Sequence, residues 1–321
     1  MKTYIGIDIG GTKCAVLLGD ETGEILKEVR FPTEGAEETV SRILDEAEIM
    51  KRTAAGSAVS VGISCGGPLD PERGIIQSPP NLPGWDNIGI VRMVRERTGL
   101  PTLLCNDANA CALAEWRFGA GRGTRNMIFL TFGTGMGAGL ILDGRLYNGT
   151  NGNAGEVGHI RMSRFGPVGY GKEGSFEGFA SGGGIAMMAK TAAVARLQQG
   201  RTTGYCASFE ELDSVTAKTV AQAAERGDED AVGVYRRCGE MLGRGLAILV
   251  DILNPERIVI GSIFQRSEDL LREAMEEALR EECLPVSLEA VTVVPAELGD
   301  DIGSRAALAL AVSAEEERMG G

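Results

Sequence analysis

No stretch of the 321-residue chain approaches the roughly 20 consecutive apolar residues that a membrane helix needs. No Cys-x-x-Cys pair occurs among its seven cysteines, at 14, 65, 105, 111, 206, 238 and 283, so neither a disulfide framework nor a four-cysteine zinc site is suggested. Basic residues are short as well, with 32 Lys and Arg against 45 Asp and Glu and a formal net charge of −13. Binding a phosphate backbone needs a Lys/Arg-rich face, so nucleic acid is not an expected partner. A secretory leader is not indicated either, because Asp8 interrupts the N-terminal apolar run. These absences lead to the expectation of a reduced, cytoplasmic protein. Histidine is scarcest of all, with His159 alone.

What the chain does contain is ordinary globular composition, 43% apolar and 24% charged, over a length that exceeds one usual core. Two lobes are therefore expected. Residues 3–9, 14–18 and 25–30 alternate as a three-strand meander, followed by a helix over 36–51, a strand over 58–64, a helix over 88–98 and a strand-helix unit over 102–118. The order then repeats. Residues 127–132, 138–142 and 145–147 lead a second meander, a glycine-rich insertion spans 148–184, and helices fill 184–226. A helix over 231–253, strand over 257–260, helix over 268–282, strand over 290–294 and helix over 301–313 close the pattern. This internal duplication predicts an N-terminal lobe at 1–120 and a C-terminal lobe at 121–300, with a ligand cleft between them. The terminal helix, 301–321, is expected to pack back on the first lobe.

Glycine turns stand at matching places in the two halves, Asp8-Ile9-Gly10-Gly11-Thr12-Lys13 and Thr131-Phe132-Gly133-Thr134-Gly135-Met136-Gly137. Without Cβ atoms the backbone can approach an anion, and successive N–H groups form a phosphate-binding concavity. A P-loop is rejected for the first turn, since Thr12 precedes Lys13 and a strand follows where a P-loop opens a helix. Asp8, at the end of a buried apolar strand, needs a cation or donors. A magnesium ion on a nucleotide would supply one, through water.

Asn106 and Asp107 stand at a strand-to-helix junction, where an open α/β sheet presents side chains to its ligand. Taken alone, Asp107 reads as a helix cap. The Gly/Pro-dense segment 65–85 reads as a pocket wall, with backbone around Gly67 and the Asn81 side chain facing a polar ligand. Glu156, His159 and Glu177 follow in the insertion. Several carboxylates and amides converging on one cleft suit a polyhydroxylated substrate, because each sugar hydroxyl needs a partner.

Asp8-x-Gly-Gly-Thr-Lys13, Gly66-Gly67-Pro68, Asn106-Asp107-Ala-Asn-Ala, Thr131-x-Gly-Thr-Gly-x-Gly137, Gly155-Glu156-x-Gly-His159 and Glu177 together resemble the ROK family of sugar kinases and related regulators. The resemblance runs from Ile5 to about Ser304 in order and spacing. It implies an α/β, two-lobed actin/hexokinase-like (ribonuclease H-like) fold, a homodimer, and ATP-dependent phosphorylation of a hexose with Mg²⁺. By position, Asp107 resembles the general base, and Asn106, Glu156, His159 and Glu177 resemble sugar ligands, beside the pocket-wall residues Gly67 and Asn81. Asp8, Gly10, Gly11, Thr12, Lys13, Gly133, Thr134, Gly135, Gly137 and Gly261 resemble the nucleotide side, with Asp8 toward magnesium. Glucose is the family default, with N-acetylmannosamine and N-acetylglucosamine as alternatives. Polyphosphate as donor and a non-catalytic sugar-binding or regulatory role also stay open. The family's repressors carry an N-terminal winged helix, for which the first strand at Thr3 is expected to leave no room.

The chain departs from the family twice. Where most members carry Cys-x-Cys-Gly-x-x-Gly-Cys-x-Glu, whose thiolates join a histidine on a structural zinc, this chain reads Val168-Gly-Tyr170-Gly-Lys-Glu-Gly-Ser175-Phe-Glu177. One nitrogen without sulfur cannot build a tetrahedral zinc site, so a zinc-free loop held by packing around Tyr170 and Phe176 is expected. Ser262 follows Gly261 where the family usually has a second glycine, which implies altered adenine contacts.

Overall fold

Alternation of β-branched and other apolar residues produces the strands that the periodicity implies. A computed structural model describes residues 2–320, the side chains of 317–320 excepted. Strands β1 (Thr3–Ile9), β2 (Lys13–Asp20) and β3 (Ile25–Pro32) form an antiparallel meander, and helix α1 (Ala36–Thr53) leads to β4 (Ala58–Cys65). A small hairpin, β5 (Leu69–Asp70) and β6 (Ile75–Ile76), precedes α2 (Ile90–Thr98), β7 (Thr102–Asn106) and α3 (Asp107–Phe118). The first sheet is ordered β3-β2-β1-β4-β7, with β4 parallel to both β1 and β7.

The second half follows the same plan. Strands β8 (Met127–Phe132), β9 (Met136–Leu142) and β10 (Arg145–Leu146) precede a hairpin of β11 (Val168–Gly169) and β12 (Lys172–Glu173). Helices α4 (Phe176–Phe179), α5 (Gly182–Gln198), α6 (Ala217–Glu225) and α7 (Glu229–Leu253) intervene before β13 (Arg257–Ile260). Helices α8 (Ile263–Glu282) and α9 (Pro285–Leu288), strand β14 (Thr292–Pro295) and helix α10 (Ile302–Gly320) complete the chain. The second sheet is ordered β10-β9-β8-β13-β14, so the two meanders and their parallel strands occupy corresponding places. Helix α8 starts five residues before the expected 268, because Ser262 and Gln265 form an N-terminal cap. Among the described residues no helix is long and apolar enough to cross a membrane.

Two compact units result. One runs from the N-terminus to Arg125 and adds Gly139–Ala154 and the chain from Glu297 onward; the other is Asn126–Ala138 with Gly155–Ala296. The expected boundaries, 1–120 and 121–300 with all of 148–184 in the second lobe, are corrected accordingly. The reason lies in α3. A Cβ on Gly139 would come within 2.4 Å of Ala112 Cβ, and Asn109 Nδ2 donates to Asn148 Oδ1 at 3.1 Å, which ties 139–154 to the first unit.

In the first unit the sheet is covered on both faces. Ile5, Ile7, Ile9, Val61 and Ile63 pack with Ile43, Met50 and Trp85 from the α1/α2 side. Tyr4, Leu17, Leu308, Ala311 and Val312 form a second core beneath α10. Ser60 Oγ donates to Ala311 O at 2.6 Å, and Tyr4 Oη donates to Glu315 Oε2 at 2.7 Å. Closest approach occurs at Gly62, where an added Cβ would lie 2.2 Å from Ala307 O and 2.4 Å from Ala311 N. Gly62→Val therefore forces α10 off β4 and should cost about 2–3 kcal/mol, the upper part of the overpacking range. A chemical-denaturation midpoint equal to that of the parent would contradict this packing.

Candidate functional site

Asp8 ends β1, and the parallel register places it beside Ser64 of β4, which in turn lies beside Cys105 of β7, one residue before Asn106. The strand end thus brings Asp8 toward the start of α3. There the two candidate cap residues separate their tasks. Asn106 is the N-cap, its Oδ1 accepting the Asn109 N–H at 2.8 Å. Asp107 is the first helical residue and accepts the adjacent Ala108 N–H, at 2.9 Å. The cap reading of Asp107 is therefore replaced by one in which Asn106 does the capping and Asp107 keeps a carboxylate open to solvent.

Protein mass around Asp107 nonetheless disfavours its charged form and raises its pKa from the ordinary carboxylate range. Asp8 is raised to about 6, first by burial and then by the negative charge of Asp107, with Lys13 and Arg30 opposing. An acidic pair pushed upward in this way fits a hard divalent cation bound through few protein ligands. Cys111, one turn beyond Asp107 on α3, is held well above the usual thiol range by burial and by the charges of Asp107 and Asp8. It is therefore a protonated, non-nucleophilic group.

The first glycine turn closes tightly, the Gly10 N–H donating to Lys13 O at 3.1 Å and Thr33 Oγ1 donating to Gly10 O at 2.6 Å. A Cβ on Gly11 would lie 2.4 Å from Asn81 O, and one on Gly66 would lie 3.4 Å from Asn81 Nδ2. Hence Asp8, the 10–13 turn, the Gly66–Gly67 segment and Asn81 form one neighbourhood of the first unit. Gly11, Thr12, Lys13, Gly67 and Asn81 are exposed.

The second unit assembles the other predicted residues. Between β8 and β9 the Gly133 N–H donates to Gly135 O at 3.1 Å, and Thr131 Oγ1 accepts the Gly137 N–H at 2.9 Å. The start of α5 docks on this turn, with Gly182 N–H on Gly133 O at 2.7 Å and Gly183 N–H on Thr134 O at 3.1 Å. Glu177 reaches it too, its Oε2 accepting the Met136 N–H at 3.0 Å. Glu177 is thus engaged by the turn's own backbone. Glu156 and His159 flank a short 3₁₀ turn with exposed side chains, and a Cβ on Gly158 between them would lie 3.2 Å from Glu177 Cβ. Gly261 is buried, its N–H on Leu130 O at 3.0 Å.

Segment 166–177 differs from its expectation. Phe176 is fully buried, packed so closely that a Cβ on Gly245 of α7 would come within 2.3 Å of its ring. Tyr170 is 85% exposed, so packing around Tyr170 is corrected. Tyr170 and Gly171 form the two-residue turn between β11 and β12, with φ of 43° and 74°, which aims the tyrosine into solvent. Phe176 packing holds the segment together with hydrogen bonds. Ser175 Oγ accepts the Gly178 N–H at 3.1 Å, Arg161 Nη1 donates to Glu173 O at 2.8 Å, and Lys172 Nζ donates to His159 O at 2.5 Å.

One feature escaped the motifs. A cavity of about 800 Å³ opens beside the second glycine turn, lined by Gly133, Thr134, Gly183, Lys218, Ser262 and Arg266 among others. Its walls come from α5, α6, α7 and α8, whose sequences look like plain core helices. The run Ser181-Gly-Gly-Gly184 at a helix start was its one visible signal.

The ROK family model matches residues 4–314. The chain is 33% identical to a glucokinase of Thermotoga maritima over 99% of this chain and 98% of that one. Among solved structures it is similar to a ROK family glucokinase of Streptomyces griseus in complex with glucose and AMPPNP, at 32% identity and a TM-score of 0.71, covering 97% of this chain and 99% of that one. It is also similar to a ROK family transcriptional regulator, a homologue of the Escherichia coli MLC protein, at 28% identity and a TM-score of 0.82, covering 97% of this chain and 78% of that one. The fold is the two-sheet, mixed α/β hexokinase-like fold.

Asp8 carries a stability consequence. Its carboxyl ionises near 3.8 in the unfolded chain and near 6 in the fold, so between those values the folded chain binds the extra proton. Stability of the unliganded protein therefore falls as pH rises through that window. Asp8→Asn removes the penalty. The variant should melt above the parent at pH 7.5, and the advantage should shrink as pH falls toward 4; a pH-independent difference in thermal scans would refute the assignment.

Proposed function

We propose, since the chain belongs to the ROK family, that it is an ATP-dependent sugar kinase acting on a hexose, with O6 of glucose as the acceptor. The carrying observation is the division of labour at α3: Asn106 satisfies the helix terminus, which leaves the Asp107 carboxylate free beside Asp8. A carboxylate with a pKa raised by its surroundings is suited to accept a hydroxyl proton near neutrality. Support for ATP as donor comes from the glycine turn that adjoins a cavity of nucleotide size, and from the relative crystallised with AMPPNP.

In this reading Asp107 removes the proton from the attacking sugar hydroxyl, while Asn106, Asn81 and the Gly67 backbone bind other hydroxyls. Within the second unit, Glu156, His159 and Glu177 are the candidate sugar-binding residues that the family resemblance gives. The 10–13 and 133–137 turns offer backbone N–H groups to the phosphates, and Lys13 adds a positive charge. Asp8 would hold magnesium through water; when bound, that ion neutralises charge on the phosphates. Phosphoryl transfer asks little covalent work of a protein, so most of the rate comes from positioning and electrostatics.

Asp107→Asn should lower kcat by about 10²–10⁴-fold while sugar binding by calorimetry persists. Near-parental turnover would remove Asp107 from the role. A coupled ADP-release assay over glucose, mannose, fructose, allose and the N-acetylated amines tests the substrate, and preference for N-acetylmannosamine or N-acetylglucosamine would displace glucose. Silence across all of them, with the sugars still binding, would favour a regulatory protein. The fold also stands without structural zinc in this reading, because Val168, Tyr170 and Ser175 supply no thiolate. Exhaustive chelation should leave the melting temperature unchanged, and a fall of several degrees would overturn that part.

A further inference from the structure

Ser262, between β13 and α8, has φ 59° and ψ −108°. Side chains with a Cβ rarely adopt that conformation, and its energetic cost persists only where the surroundings impose it. The surroundings here are plain. The Ser262 N–H donates to Gln265 Oε1 at 3.0 Å, and Gln265 Nε2 donates to Ala296 O at 2.6 Å, which fixes the backbone at the start of α8. Glycine would meet the same backbone demand without strain, so the hydroxyl is the part that needs explaining.

That hydroxyl belongs to the capping box at the start of α8 and has a second contact besides. Arg266, one turn along α8, donates from Nη2 to Ser262 Oγ at 3.3 Å. Both residues line the 800 Å³ cavity, and a Cβ on Gly133 of the glycine turn would lie 3.7 Å from Ser262 Oγ. Arg266 forms no ion pair among the described residues. Lys218 is the other cationic residue on the cavity wall, and Glu225 the acidic one. A guanidinium without a carboxylate partner, steered beside the glycine turn, is suited to a phosphate oxygen.

We infer that Ser262 is a positioning residue whose hydroxyl holds the Arg266 guanidinium against the phosphate chain of the bound nucleotide. The inference rests on the proposed nucleotide site and adds to it a reason for the strained serine. It separates the phosphate chain from the base: Arg266 should distinguish ADP from adenosine, and Ser262 should act only through Arg266.

Isothermal titration of ADP and of adenosine into the parent, Ser262→Gly, Arg266→Gln and the double variant tests this, with thermal melting alongside. Ser262→Gly should melt about 2–4 °C higher through relief of strain, yet bind ADP about 3–10-fold more weakly. Arg266→Gln should weaken ADP by about 10-fold or more, the scale of a hydrogen bond to a charged group. Adenosine affinity should be unchanged in both. The double variant should bind ADP no more weakly than Arg266→Gln alone, because the serine acts through the arginine. Parental ADP affinity in Ser262→Gly would overturn the inference, as would equal losses for ADP and adenosine or additive losses in the double variant. If the parent binds neither ligand, the nucleotide site itself falls, a result readily told apart from a parent that binds and variants that do not respond.

Discussion

Two carboxylates at the carboxyl ends of parallel strands, close enough for one to feel the charge of the other, are an electrostatic liability, and much of the first unit is arranged around that pairing. Asp8 pays twice for its place, through burial and through the charge of Asp107, which is why it ionises only near 6. Arg30 and Lys13 relieve part of the repulsion without neutralising it. A Cβ on Gly303, near the start of α10, would lie 2.8 Å from Asp8 Oδ2, so the helix reaches the carboxylate only because that residue has no side chain. The pair is therefore framed by β1, β4, β7, α3 and α10 together. Burial and mutual repulsion leave such a pair costly to ionise, which links the charge of Asp8 to fold stability.

The elements that frame this pair were legible because their signals are local. Period-two alternation gives β1, β4 and β7, glycine gives the turns, and Asn106-Asp107 after an apolar strand marks the head of α3. What sequence could not apportion was the task of each neighbour in Asn106-Asp107, since either side chain can cap a helix. Backbone geometry decides it, placing Asn106 outside the helix and Asp107 inside. The cavity beside Gly133 was illegible for a different reason. It is formed by gaps between helices whose apolar faces are occupied with one another, and no single periodicity encodes a gap. Residues 139–154 were assigned to the wrong lobe because sequence proximity to the insertion outweighed a contact with α3 that only folding reveals.

Segment 166–177 is shaped by its turn and by one buried ring. The hairpin turn places Tyr170-Gly171 in the left-handed region, and Gly174 follows with φ 62°. Tyr170 could not serve as a packing anchor once it stood at a turn of that type, where the backbone points its side chain away from the body of the loop. Ser175 retains a staple within this segment, capping α4 from a fully buried position. Lys172 and Arg161 then tie backbone carbonyls of His159 and Glu173. Hydrogen bonds of this kind contribute about 1 kcal/mol each, far less than a metal site, so the buried Phe176 carries a larger share of the fixing.

Glu177 occupies the point where these threads meet. Its position is set by α4, whose cap is Ser175 and whose core contact is Phe176. One carboxylate oxygen accepts the Met136 N–H, the residue that follows the glycine turn. A carboxylate has lone pairs for further donors, so a hydroxyl could share this group without displacing the backbone.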